Sequence, residues 1–62
     1  MKPGDMITSK NHNAVIRLIV DEYYEKSGDG LPPFRVFKMI ETDGSIEEWG
    51  ANNIELYWEV IS

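Results

Sequence analysis

The chain has 62 residues, no cysteine and a formal net charge of −5, with six Lys and Arg against eleven Asp and Glu. A domain of this size buries only about 60% of the surface its unfolded chain exposes, which leaves little room for both a core and an enclosed catalytic pocket. Without cysteine there is neither a disulfide framework nor a thiolate metal site, so a reducing cytosol is a compatible setting. No apolar run approaches the roughly 18 residues of a membrane span, and Met1-Lys2-Pro3-Gly4-Asp5 lacks the apolar core of a signal peptide. The expectation is one domain over residues 1–62, with no membrane association.

Lys2-Pro3-Gly4-Asp5 reads as a turn, because Pro presets φ and Gly accepts a positive φ. Met6-Ile7-Thr8-Ser9 follows as a short strand, and Lys10-Asn11-His12-Asn13 as a polar loop. Residues 14–24 are the most apolar stretch. Their β-branched content points to a strand, with Ile16, Leu18 and Val20 alternating with Arg17, Ile19 and Asp21. Val15, Leu18, Ile19 and Tyr23 also fit i, i+3, i+4 spacing, so a helix stays open as the alternative. Two glycines and two prolines make residues 27–33 a loop.

Phe34 to Ile40 and Ile46 to Trp49 form a hairpin around Asp43-Gly44, the strongest short-range hairpin signal a sequence carries. A two-residue turn would set Ile40 against Glu47 and Lys38 against Trp49. A three-residue loop, Thr42-Asp43-Gly44 with Gly44 left-handed, instead sets Ile40 against Ile46, Lys38 against Glu48 and Phe37 against Trp49. Matched pairs of this kind contribute roughly 0.2–1 kcal/mol each, and the second register is expected. Gly50-Ala51-Asn52-Asn53 fits a tight turn or a single 3₁₀ turn. Residues 55–61 then close the chain as a strand, with Leu56, Trp58 and Val60 facing inward. The fold expected is all-β, with five strands.

Charge divides the chain. Residues 1–40 carry six basic and five acidic groups, whereas Glu41, Asp43, Glu47, Glu48, Glu55 and Glu59 leave residues 41–62 with six acidic groups and no basic one. Sequence-independent nucleic-acid binding needs clustered Lys and Arg, so it is disfavoured. An acidic surface keeps a small domain soluble and suits a basic partner.

The parts for catalysis are missing. His12 is the only histidine and sits in a loop between two asparagines, with no orienting partner or nucleophile in view. Asp29 and Asp43 lie in Gly-containing turns without the carboxylate density of a calcium site. Glu47 and Glu48 are consecutive on a strand and point to opposite faces, which prevents their acting as a paired acid and base. No catalytic residue, metal or cofactor is expected.

The aromatic residues are better candidates. Tyr23, Tyr24, Phe34, Phe37, Trp49, Tyr57 and Trp58 are too many for so small a core, and neighbouring rings in Tyr23/Tyr24 and Tyr57/Trp58 must part to opposite faces. Tyr and Trp left on a surface anchor interfaces at low entropic cost. The expected partner-binding patch is Tyr24, Phe34, Trp49 and Tyr57 near the 27–33 loop, with Glu47, Glu48 and Glu55 setting the charge of its rim. Partial burial of these rings against loops is the plainer reading. A cation such as methyl-lysine is a further ligand that an acid-rimmed aromatic patch can hold.

Lys2-Pro3-Gly4-Asp5, the central strand pair, Asp43-Gly44-Ser45 before Ile46-Glu47-Glu48-Trp49, and a short spacer into Leu56 and Val60-Ile61 resemble one group in particular. The chain is similar over essentially its whole length to small proteins of tailed bacteriophages, often cyanophages, with an SH3-like (KOW-type) barrel. The resemblance implies a five-stranded, partly open SH3-like barrel with a 3₁₀ turn before the last strand. It also implies a protein partner, either a phage structural protein or a host protein, a location in the virion or the host cytoplasm, and room for a homo-oligomer. It brings no catalytic residues. The acidic-aromatic entry motif of eukaryotic SH3 domains is missing, so polyproline binding is not implied.

Overall fold

The computed structural model describes residues 1–12, 14–26 and 28–61. Asn13 of the expected polar loop and Ser27 of the expected Gly/Pro loop lie outside the described residues, as does Ser62. Five antiparallel strands form one open sheet in the order β4-β3-β2-β1-β5, with β1 Met6–Ser9, β2 Ile16–Glu25, β3 Phe34–Glu41, β4 Ile46–Gly50 and β5 Trp58–Val60. A short helix, α1 (Ala51–Tyr57), leads into β5.

The first turn forms as its residues dictate. The Asp5 amide donates to the Lys2 carbonyl at 3.1 Å and Gly4 takes φ +98°, a conformation open to Gly at no steric cost. The turn is stitched to β2 through Gly4 N–H to the Ile19 carbonyl (2.8 Å) and Ile19 N–H to the Asp5 carbonyl (3.0 Å). The Asp5 carboxylate accepts from the Lys2 ammonium at 2.9 Å, and this hydrogen bond holds it below its ordinary range.

Residues 16–25 are strand throughout, so β-branching prevails over the helical spacing. β2 carries a bulge between Ile19 and Asp21. The β3–β4 hairpin has the three-residue loop: Ile40 faces Ile46, Lys38 faces Glu48 and Phe37 faces Trp49. Gly44 adopts φ +91°, its amide donates to the Glu41 carbonyl, and the Glu41 amide donates to that of Ser45.

The end of the chain departs from the expected pattern. Where a single 3₁₀ turn followed by a strand over 55–61 was expected, residues 51–57 are α-helix and only Trp58–Val60 is strand. Leu56, expected inside, is 61% exposed, and Val60 is also exposed. The helix wins because Ala51 and Ile54 are spaced to fall on one face, and that face is buried. The period of two read from Leu56, Trp58 and Val60 competes with a period near 3.6 read from Ala51, Ile54 and Trp58.

Register divides the sheet into an inner and an outer face, since residues directly opposite on paired strands share a face. The inner face carries Ile7, Ile19, Phe37 and Met39, all fully buried, and α1 closes over them with Ala51 and Ile54. Met1 and Trp58 pack against this cluster. Each fully buried side chain of this size contributes roughly 1.5–3 kcal/mol of transfer free energy.

Candidate functional site

Four aromatic rings do reach the surface, but not on one face. Tyr24 lies opposite Arg35 and Trp49 opposite Phe37, so both belong to the inner face beyond the reach of the core. Phe34 is opposite Glu25 and therefore on the outer face. Tyr57 ends α1, and its carbonyl accepts from the Lys10 amide at 2.9 Å, near the far end of β1. Tyr24, Phe34, Trp49 and Tyr57 are all exposed. Tyr24 and Phe34 flank the loop that joins β2 to β3; Tyr57 stands apart from them. Strand parity explains the separation of Tyr24 from Phe34, because they occupy consecutive register rows.

The three carboxylates of the expected rim are each engaged within the chain. Glu47 Oε2 meets Arg17 Nη2 at 2.5 Å, Glu48 Oε1 accepts from the Tyr23 hydroxyl at 2.7 Å, and Glu55 Oε2 accepts from Arg35 Nη2 at 3.0 Å. Glu47 and Glu48 do point to opposite faces. Glu48 pushes the Tyr23 phenol up to about 12, because a hydrogen-bonded carboxylate favours the protonated phenol. The Tyr23 phenol crosses β3 to reach Glu48, and Val36, its register partner, is buried although it lies on the outer face.

Two arginine clusters, which the linear pattern does not reveal, bracket the core. Arg17 pairs with Glu41 at 2.7 Å and with Glu47, and its guanidinium lies 4.6 Å from the centre of the Trp58 ring. Arg35 pairs with Glu22 at 3.2 Å and with Glu55 at 3.0 Å, and stacks 4.9 Å from the Phe37 ring centre. Each guanidinium is thus held by two carboxylates and one ring, an arrangement that suits its planar fork. Glu47 and Trp58 come from the two edge strands, β4 and β5, yet both reach Arg17, which requires the sheet to curl. The paired carboxylates lie 24 and 30 residues from Arg17 and 13 and 20 residues from Arg35, and Trp58 lies 41 residues from Arg17, so no local spacing announces these partners.

Other candidates remain turn residues. Asp43 Oδ1 accepts from the Ser45 amide at 2.9 Å, and this backbone hydrogen bond holds its carboxyl below the ordinary range. His12 is exposed in the loop after β1. Among the described residues no three His, Asp or Glu side chains gather as metal ligands, and no pocket is present. Among the described residues no helix is long and apolar enough to cross a membrane. Compared with known proteins, the chain matches no protein family, no curated protein and no solved structure.

Proposed function

We propose that this protein is a non-enzymatic protein-interaction module of a bacteriophage that attaches to a larger virion assembly. The observation that carries the reading is the balance of apolar side chains: among the described residues seven hydrophobic ones are buried and fourteen large ones are exposed. Isolated exposed side chains are ordinary, but aromatic anchors such as Tyr24 and Trp49 on a chain with this many are typical of binding surfaces. In this reading Tyr24, Phe34, Trp49 and Tyr57 make contact from more than one side of the domain. Glu47, Glu48 and Glu55 contribute charge while holding their internal partners.

The same proposal takes the sheet for a partly open SH3-like barrel. It is supported by the return of β5 to pair with β1, by the short helix that leads into β5, and by the approach of β4 and β5 to the same guanidinium.

A pull-down with the tagged chain from purified particles and from host lysate, beside a Trp49→Ala variant, tests the reading. Enrichment of particle proteins that Trp49→Ala abolishes, with the variant still folded by circular dichroism, supports a virion component. Capture of one host protein at near-equal stoichiometry replaces that assignment with a small effector that modulates a host protein. Equal recovery of the same proteins by Trp49→Ala removes Trp49 from the interface.

A further inference from the structure

The outer face carries one uninterrupted aliphatic row. Met6 faces Leu18, Leu18 faces Ile40 and Ile40 faces Ile46. The Ile61 amide donates to the Met6 carbonyl at 2.9 Å, one residue beyond the Ile7–Val60 pair, which brings Ile61 into the same line. Five aliphatic side chains therefore cross the whole sheet at right angles to its strands, over a path of about 20 Å along its curl at the usual strand spacing. Met6, Leu18, Ile46 and Ile61 are exposed and Ile40 is half-buried. Ile16, one register row away, and Val20, at the bulge, are exposed beside them. α1 and the buried cluster lie on the other face.

Carboxylates flank this row on both sides. Glu59 faces Thr8 in the row to one side. On the other side, Asp21 faces Lys38, which faces Glu48, and Glu25 lies farther along β2 on the same face. Lys38 is the only cation that the described strand residues place on the outer face. A second copy stacked on this face would set carboxylates against carboxylates, with a net charge of −5 on each chain. An extended segment laid on the row would turn every second side chain away from the sheet, leaving its charges on the far side. A helix with an aliphatic stripe flanked by Lys or Arg answers both the row and its acidic borders.

We propose that the outer face docks a basic amphipathic helix of another protein, with Met6, Leu18, Ile40 and Ile46 receiving its apolar stripe and Asp21, Glu48 and Glu59 its flanking cations. These four aliphatic side chains span three strand gaps, about 14 Å, which corresponds to a helix of about 10 residues. The inference rests on the reading of this protein as an interaction module, and it assigns a surface distinct from the Trp49 side.

The test is a titration of the isotope-labelled chain with a synthetic Leu/Lys amphipathic helical peptide of about 14 residues, followed by amide and methyl NMR. Two control peptides accompany it: one with Glu in place of every Lys, and one of the same Leu/Lys composition scrambled to remove the stripe. Shifts centred on Met6, Leu18, Ile40 and Ile46, no binding of the Glu peptide, weaker binding of the scrambled one and loss of affinity with salt are expected. A Leu18→Thr/Ile46→Thr variant should bind about tenfold or more weakly, while Trp49→Ala binds as the parent does. Because Leu18 and Ile46 are exposed, this variant retains its fold, which its amide dispersion verifies. Absence of binding, equal binding of either control peptide, or shifts centred on Trp49 and Tyr24 overturns the proposal. So does a concentration-dependent shift of the outer row without peptide, which assigns the face to a second copy. In each of these cases a Trp49-dependent pull-down still stands, so failure here is distinct from failure of the module reading.

Discussion

The two faces of this sheet are built from similar residues and treated oppositely. Leu18 and Ile19 are neighbours of nearly equal volume on β2, yet Ile19 is fully buried under α1 while Leu18 is 36% exposed on the face no element covers. The inner face reaches closure by adding a helix and two arginine clusters to four strand residues. The outer face holds as continuous an aliphatic row, with the Tyr23 phenol reaching Glu48 across β3 and Thr8 buried beside Val15. A five-stranded sheet with one seven-residue helix has enough material to cover one side. Stability should therefore be concentrated on the inner face, and recognition on surfaces the helix leaves bare.

The sharpest way to break this comparison is a pair of truncations. Ile19→Ala should cost about 2–5 kcal/mol, a core cavity cost, and leave so small a domain largely unfolded. Leu18→Ala, one residue away, should cost about 1 kcal/mol or less; urea denaturation of both reads the difference. Similar losses for the two would mean that the outer face is covered as well.

The arginines sharpen the contrast within the inner face. The Arg17 side chain is 13% exposed and that of Arg35 30%. Arg17→Ala removes a hydrogen bond to Glu41, the ion pair with Glu47 and the packing on Trp58, and should cost about 1.5–3 kcal/mol. Arg35→Ala, with its pairs nearer to water, should cost about 1 kcal/mol or less. Thermal melts at low and high salt separate them, because screening weakens the Arg35 pairs more. At the hairpin, Gly44→Ala meets no steric neighbour but must hold φ +91°, and should cost about 1–2 kcal/mol from backbone strain alone.

The smallest effect belongs to the Tyr23–Glu48 strap on the outer face. Tyr23 keeps its proton in the folded chain up to about pH 12, against about 10 for an unfolded tyrosine. Its contribution is therefore fully present below the unfolded value and is lost as pH rises through the folded one. Ultraviolet titration should show one phenol ionising late, and Glu48→Gln should bring it down towards the ordinary value. A late phenol that persists in Glu48→Gln would refute the strap.

The β3–β4 register was legible because turn chemistry and side-chain pairing agreed: Gly44 demands the left-handed position, and the same loop length aligns Ile40 with Ile46 and Lys38 with Glu48. The Lys2–Asp5 turn and the first strand were legible for similar local reasons. α1 was not, since residues 51–58 satisfy two periods at once and only the burial of Ala51 and Ile54 chooses between them. The aromatic candidates were legible as exposed residues but not as a surface. Whether Tyr24 and Phe34 share a face depends on the pairing of β2 with β3, and Tyr57 moved with the helix that replaced a strand.

Local chemistry in the sequence thus determined the turns, the hairpin register and a mostly β chain, because glycine conformations and cross-strand pairs act over a few residues. Which face of β2 became the core was decided only by the tertiary structure. Both Ile19 and its neighbours Ile16 and Leu18 are apolar, and burial went to the side where α1, Trp58 and the carboxylates around Arg17 arrive from distant parts of the chain.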